Sequence, residues 1–207
     1  MAPVLVVEGV GRNLVFMVSR YHATLPRTPT FVAHPRTPSR PARSRRISSR
    51  PPAMPFDIHP ADDAARQWAV ELMCRSNPWQ ALGLEPAQLD AACRRPGSTL
   101  YVAADEGRPV GFILLQRHGV ASAPYVQSIG VAPDARGRGV GTALLGFAES
   151  LYESDARWLF ICVSSFNTRA RALYQRLGYA AVAELEGHLV DEASEVLMRK
   201  PLRTSAT

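Results

Sequence analysis

Hydrophobic and polar positions alternate in a recognisable order from about residue 55 onward. PFDIHPA (55–61) has the alternation of a short strand. Asp62 or Asp63 then stands where a helix cap belongs, ahead of apolar positions 65, 68, 69, 72 and 73 at helical spacing. NPWQALGLEP (77–86) is rich in turn residues, and Pro86 suits the first turn of a second helix running through Cys93. TLYVAAD (99–105) and PVGFILLQ (109–116) predict two strands joined by the hairpin-length turn Glu106-Gly107-Arg108. PYVQSIGVAP (124–133) predicts a third, followed by a helix with an apolar stripe at 140, 143, 144, 147, 148 and 151. RWLFICVS (157–164) reads as a buried strand. Asn167 opens a helix with apolar positions 170, 173, 174 and 177, and Gly178 closes it. YAAVAEL (179–185) and SEVLMRKPL (194–202) complete the pattern as strands. The order β-α-α-β-β-β-α-β-α-β-β predicts an α/β domain, a mixed central sheet flanked by helices. No internal repeat is visible.

Residues 1–53 differ in kind. Seven prolines fall between Thr24 and Ala53, mixed with serine and arginine, and such a stretch cannot build a repeating hydrogen-bonded element or bury enough apolar area to order itself. Two units follow: a disordered Arg/Pro-rich extension over 1–53 and a folded domain over 54–207. The extension has three readings: a passive tail that includes translation begun upstream of Met54, an organellar transit peptide, or a basic interaction arm. Charge separates the same way. The extension holds nine arginines against one acid, Glu8, a surplus of eight, so the total of +6 leaves −2 for Met54–Thr207. The basic character therefore belongs to the tail, and nucleic acid is not an expected partner of the domain.

Three scattered cysteines, Cys74, Cys93 and Cys162, make no disulfide framework and no C-x-x-C pair. Cys162, in an apolar run, reads as a small core residue. The five histidines show no ligand spacing, so no metal site is expected. No apolar run approaches the roughly 20 residues of a spanning helix. A reducing, cytoplasmic setting without membrane attachment is the expectation.

The chemistry lies in SIGVAPDARGRGVGTALLGFAE (128–149), where three glycines stand two residues apart at the mouth of a helix. Glycine costs a helix about 1 kcal/mol relative to alanine, so something requires the bare backbone. Unpaired N–H groups and the positive end of the helix converge there, a setting that suits a phosphate or pyrophosphate. No Gly-Lys-Ser/Thr follows, which excludes a Walker loop. The dinucleotide fingerprint fails because Leu144 stands where its third glycine would be. R-x-x-G-x-G is met by Arg136, Gly139 and Gly141. With it the chain resembles the GCN5-related N-acetyltransferase (GNAT) superfamily, in which a loop of this form holds the pyrophosphate of acetyl-CoA. NTRARALYQRLGY (167–179) matches the N-x-x-A-x-x-L-Y-x-x-x-G-Y/F form of the superfamily's next helix, about 30 residues on. The resemblance spans roughly Pro55 to Leu202.

The resemblance implies an acetyl-CoA-dependent N-acetyltransferase acting on a primary amine of a small molecule or peptide, as monomer or homodimer. The N–H groups from Arg136 through Gly137, Arg138, Gly139, Val140 and Gly141 to Thr142 would hold the pyrophosphate, with Arg136 and Arg138 adding charge. The main chain of Ile129 and Val131 would pair with the pantetheine arm. Tyr174 matches the family's general acid, which protonates the departing thiolate. Asn167 matches a pantetheine contact and is equally a good helix N-cap. On the acceptor side Trp79 and Tyr125 are candidates. Trp79 has two equal readings, a flat wall for a cation or an anchor for its loop. Many relatives carry a glutamate base on the strand before the pyrophosphate loop, but PYVQSIGVAP has no acid. Glu186, His188, Asp191, Glu192 or a water chain remain for that task. The missing acid also leaves room for a catalytically silent acyl-CoA-binding module, and a protein N-terminal acetyltransferase of the ribosomal-protein type is a further reading.

Overall fold

A computed structural model describes residues 56–189, 191 and 193–202. The expected extension over 1–53 and the candidate base Glu192 lie outside the described residues. Within them the elements are β1 (Asp57–Pro60), α1 (Asp63–Cys74), α2 (Pro86–Cys93), β2 (Ser98–Asp105), β3 (Arg108–Val120), β4 (Ala123–Val131), α3 (Val140–Tyr152), β5 (Trp158–Ser164), α4 (Thr168–Arg176), β6 (Ala180–Glu186) and β7 (Ser194–Pro201). A single 3-10 turn, Pro133–Ala135, stands between β4 and α3. The order follows the pattern read from the chain, and the capping signals act as expected. Asp62 Oδ1 accepts from Ala65 N at 2.8 Å, and Gly178 adopts φ +92° just past α4. No described helix is long and apolar enough to cross a membrane.

The strands form one sheet in the order β1-β2-β3-β4-β5-β7-β6. All neighbours are antiparallel except β4 and β5. Two cores cover its faces. One gathers Ile113, Leu115, Val126, Ile161, Val196 and Met198 under α3 and α4; the other gathers Val102, Phe112 and Leu114 with α1, α2 and Trp79. The stripe of α3 differs from the expected one: Leu145 and Tyr152 are buried, whereas Leu151 is 38% exposed. The face is set by the 140/144/148/152 row, which leaves position 151 a quarter-turn away. Lys200 Nζ on β7 meets Glu149 Oε2 on α3 at 2.6 Å in a partly buried pair, which ties the helix to the far half of the sheet.

Two features of β4 set the site. Gln127 is an extra residue opposite β3, since Leu115 pairs with Val126 and Leu114 with Ser128. Past this bulge, Gly130 faces Phe112, which is wholly buried; a Cβ at Gly130 would lie 2.4 Å from Phe112 Cε1. Gly130→Ala is therefore expected to destabilise the fold by about 1–3 kcal/mol, the usual penalty of overpacking. The check is a lower urea midpoint at unchanged slope.

Candidate active site

The two halves of the sheet part company along β4. Its parallel pairing with β5 is confined, among the described residues, to Tyr125–Phe160 and Val126–Ile161. Beyond Val126 no described strand pairs with the β5 side of β4. Ala132 N donates to Val110 O at 2.9 Å, toward β3. Backbone groups alternate sides along an antiparallel strand, so the residues of the other phase, Ile129 and Val131, turn their N–H and C=O groups into the gap. Arg136 Nε reaches Val131 O at 3.4 Å at the upper end of that gap. At its lower end the bulged Gln127 has a buried Oε1 with no protein partner. A buried polar atom left in this state is costly unless another molecule satisfies it.

The gap leads directly to the N-terminus of α3. Gly137 and Gly139 have φ +80° and +87°, a region costly for any residue with a Cβ, and a Cβ at either would meet nothing within 4 Å. Gly139 is the N-cap and no side chain caps it. Ala143 N is the first helix amide to reach an intrahelical acceptor, Gly139 O, at 2.9 Å. The N–H groups of Val140, Gly141 and Thr142 are therefore left open beside the gap. A Cβ at Gly141 would come 3.4 Å from Leu173 Cδ2 of α4, an ordinary contact, so space alone does not require glycine there. The two arginines are not equivalent. Arg136 is exposed beside the cradle, whereas Arg138 Nη2 is held by Asp105 Oδ2 at 2.6 Å, so its charge is shared with a carboxylate.

Tyr174 projects from α4 and is 5% exposed, tilted against Tyr179 at 6.1 Å between ring centroids. Burial pushes its hydroxyl well above the ordinary tyrosine range, so it stays protonated at physiological pH and can only give a proton. Asn167 Oδ1 accepts from Ala170 N at 3.2 Å as the α4 N-cap, which leaves its Nδ2 as the group free to donate elsewhere. Cys162 follows the last β5 residue that pairs with β4 and is half-buried rather than a core residue. It accepts a hydrogen bond from the Tyr125 hydroxyl. Burial pushes the thiol up to about 12, leaving about one thiolate in 10⁵ at neutral pH, and the thiolate is the nucleophile. A covalent acetyl-cysteine route is thereby disfavoured.

Both acceptor-side candidates lie in the core. Trp79 is 8% exposed and tilted on Phe112 at 5.8 Å, in the anchoring arrangement rather than as a wall. Tyr125 is buried at 3% exposure, and its hydroxyl is directed at Cys162 rather than at an open acceptor channel. Trp158 is half-buried, with the Arg199 and Arg157 guanidinium groups 4.0 and 5.4 Å from its ring centre. Glu186, His188 and Asp191 are all exposed. The acid missing from the list is Glu195 on β7, which is 6% exposed and receives a hydrogen bond from Ser164. Strand alternation could not single it out, because β7 is covered on both faces from Glu195 to Met198.

A split parallel pair that leads into an uncapped, glycine-lined helix start agrees with the sequence family that matches this chain, the acetyltransferase (GNAT) family, over residues 64–179. The chain belongs to the GNAT family. Among curated relatives, this GNAT chain is 35% identical over 102 residues to an uncharacterized N-acetyltransferase of Methanocaldococcus jannaschii, covering 48% of the chain and 64% of that protein. It is 32% identical over 92 residues to a peptidyl-lysine N-acetyltransferase of Salmonella typhimurium, covering 44% and 57%. The match thus spans less than two thirds of the length of each. Its fold is shared with the ribosomal-protein-S18-alanine N-acetyltransferase of Escherichia coli, with a TM-score of 0.62 at 18% identity over 73% of this chain and 96% of that one. It is shared too with an aminoglycoside 6′-N-acetyltransferase complexed with coenzyme A, with a TM-score of 0.60 at 16% identity over 73% and 99%.

Proposed function

We propose that the protein transfers the acetyl group of acetyl-CoA to a primary amine. The observation that carries this reading is the continuity of the β4–β5 gap with the open first turn of α3, a path lined at one end by main chain that β5 does not pair and at the other by converging N–H groups. An extended amide-bearing arm that ends in a pyrophosphate matches both parts. The orphaned Gln127 Oε1 and the open space over Gly137 and Gly139 fit such a molecule.

In this reading the N–H groups of Val140, Gly141 and Thr142 and the Arg136 guanidinium hold the pyrophosphate. Ile129 and Val131 pair with the pantetheine amides, and the Asn167 Nδ2 donates to the same arm. The thioester is already activated, so alignment of the two reactants supplies the largest share of the acceleration. The amine nitrogen attacks the thioester carbonyl carbon, the C–S bond breaks, and Tyr174 gives its hydroxyl proton to the sulfur. The named relatives act on peptidyl lysine, a ribosomal-protein alanine and aminoglycosides. The common element is a primary amine, and that is the acceptor class proposed.

The test is thermal shift followed by thiol release. Acetyl-CoA at about 100 times its Kd should stabilise the fold by about 2.7 kcal/mol, which is about 5–10 °C for a chain of this size. Free thiol should then appear with at least one member of a panel of polyamines, amino acids and peptide N-termini. If neither acetyl-CoA nor CoA raises the melting temperature, the reading is wrong. Stabilisation without thiol release across the panel would favour the silent acyl-CoA-binding module.

A further inference from the structure

An amine that attacks a thioester must lose protons, and β4 carries no acid to receive them. We propose that Glu195 of β7 is the proton acceptor for the attacking amine, reaching the reaction from the far arm of the split sheet. The proposal rests on the acetyl-transfer reading and adds to it the group that this chain uses in place of a β4 carboxylate.

The placement comes from register. Glu195 pairs with Ser164 on β5, and Leu197 pairs with Cys162. Paired residues share a face, so Glu195, Ser164 and Cys162 lie on one side of the sheet, opposite the core under α3 and α4 that holds Val163, Val196 and Met198. Tyr125 shares that side through its pairing with Phe160. Cys162 is the first β5 residue beyond the last pair with β4, which places it where the gap opens, across from the unsatisfied Gln127 Oε1. The groups are close enough to influence one another. Glu195 acts on both Cys162 and Tyr125, and Tyr174 acts on Tyr125 as well. The carboxyl and the proposed acid lie on opposite sides of the sheet, and both act on Tyr125.

The carboxyl is also unusual as a structural group. Among the described residues no arginine or lysine pairs with it, and its polar neighbours are the Ser164 hydroxyl and His188 from the β6–β7 connection. Cys162 of β5 and Tyr125 of β4 face it as protonated groups, and its β6 neighbour, Leu185, does not titrate. Burial raises its pKa above the ordinary glutamate range, more than Ser164 and His188 lower it. A carboxyl kept buried with a histidine rather than an arginine or lysine for its charged neighbour, beside a gap that fits a reactant, is a poor stabiliser and a good proton acceptor.

The protons balance as follows. An ammonium acceptor gives one proton to the Glu195 carboxylate, which later passes it to solvent. The freed lone pair forms the C–N bond. The second proton leaves nitrogen as the C–S bond breaks and restores the Tyr174 hydroxyl after that group has protonated the sulfur. The net products are the acetamide, CoA thiol and one solvent proton.

Two arms test the proposal on the full chain. In the first, carboxyl-¹³C-glutamate protein is titrated by NMR, with the Glu195 signal identified by its loss in Glu195→Gln, and CoA is the probe. The Glu195 midpoint is expected above that of exposed glutamates and to move when CoA binds. In the second, kcat/KM is followed against pH for the best amine of the panel. A base acts only when ionised, so the wild-type rate falls as pH drops through the raised Glu195 midpoint. Glu195→Gln is expected to lose about a hundredfold in kcat and to lose that acid limb, with acetyl-CoA affinity changed by no more than the CoA-induced shift of the Glu195 midpoint requires. Ser164→Ala removes a hydrogen bond that favours the carboxylate, so its acid limb should move to higher pH. A purely structural carboxyl would lower stability in both variants and leave the limb where it was, which overturns the proposal. A Glu195 signal indifferent to CoA overturns it also. If the wild type releases no thiol with any amine, the transferase reading fails by itself, and the NMR arm still decides whether this carboxyl borders the bound donor.

Discussion

Replacing Tyr174 with phenylalanine is expected to lower kcat by about 10²–10³ while acetyl-CoA affinity stays within about twofold. The side chain is 5% exposed and packs on Tyr179, so the phenylalanine ring keeps the same contacts and removes only the oxygen. What is lost is a proton donor for a thiolate whose ordinary pKa is about 8.5, and positioned proton transfer supplies about 10²–10⁴ in rate. The hydroxyl's raised pKa holds it in the donating form, so the defect should not be repaired anywhere between about pH 6 and 9. Steady-state kinetics with calorimetric acetyl-CoA binding makes the check. Equal losses in kcat and in donor affinity would show that the ring, rather than its hydroxyl, had been doing the positioning. Unchanged turnover would remove Tyr174 from the chemistry.

The second large effect concerns the helix start. Gly139→Val is expected to weaken acetyl-CoA binding by about 10–10³-fold. The residue holds φ +87° at the N-cap of α3, and a β-branched side chain there costs about 1–2 kcal/mol or forces the backbone out of the left-handed region. Either outcome re-aims the N–H groups of Val140, Gly141 and Thr142. Hydrogen bonds to a charged group contribute about 1.5–3 kcal/mol each, and each 1.4 kcal/mol is tenfold in affinity, so losing one, or two at the weaker end, gives the stated range. Space is not the cause, since a Cβ at this position would touch nothing within 4 Å. Gly146→Ala is the control. It lies in the interior of the same helix with open space around it, and it should leave affinity untouched while stabilising the fold by about 0.4–1 kcal/mol. Loss of affinity in both variants would point to helix α3 as a whole rather than to its first turn.

The element order and the candidate donor loop were legible in the chain because they rest on local signals. Asp62, Asn167 and Gly178 announce helix ends by their own chemistry, and the spacing of Arg136, Gly139 and Gly141 is read within six residues. The phase of Ile129 and Val131 also follows from strand alternation once β4 is placed. The acceptor side was opaque for the opposite reason. Whether Trp79 faces a ligand or Phe112 depends on how the α1–α2 connector folds back, and no local pattern encodes that. Glu195 was hidden because a strand buried on both faces gives no alternation to separate a functional carboxyl from its apolar neighbours. Its meaning appears only when β7 is set beside β5, about 30 residues earlier in the chain.

The gap along β4 has a kinetic consequence. In the proposed reaction the donor's amides complete a ladder that the polypeptide leaves unfinished past Val126, so bound acetyl-CoA behaves as a borrowed strand. Acetyl transfer removes the acyl group and leaves those amides in place. CoA therefore departs through the same set of backbone hydrogen bonds that admitted its acetylated form. In that reaction the geometry that aligns the thioester would also hold back the spent carrier, so the sheet as well as the chemistry would bear on turnover.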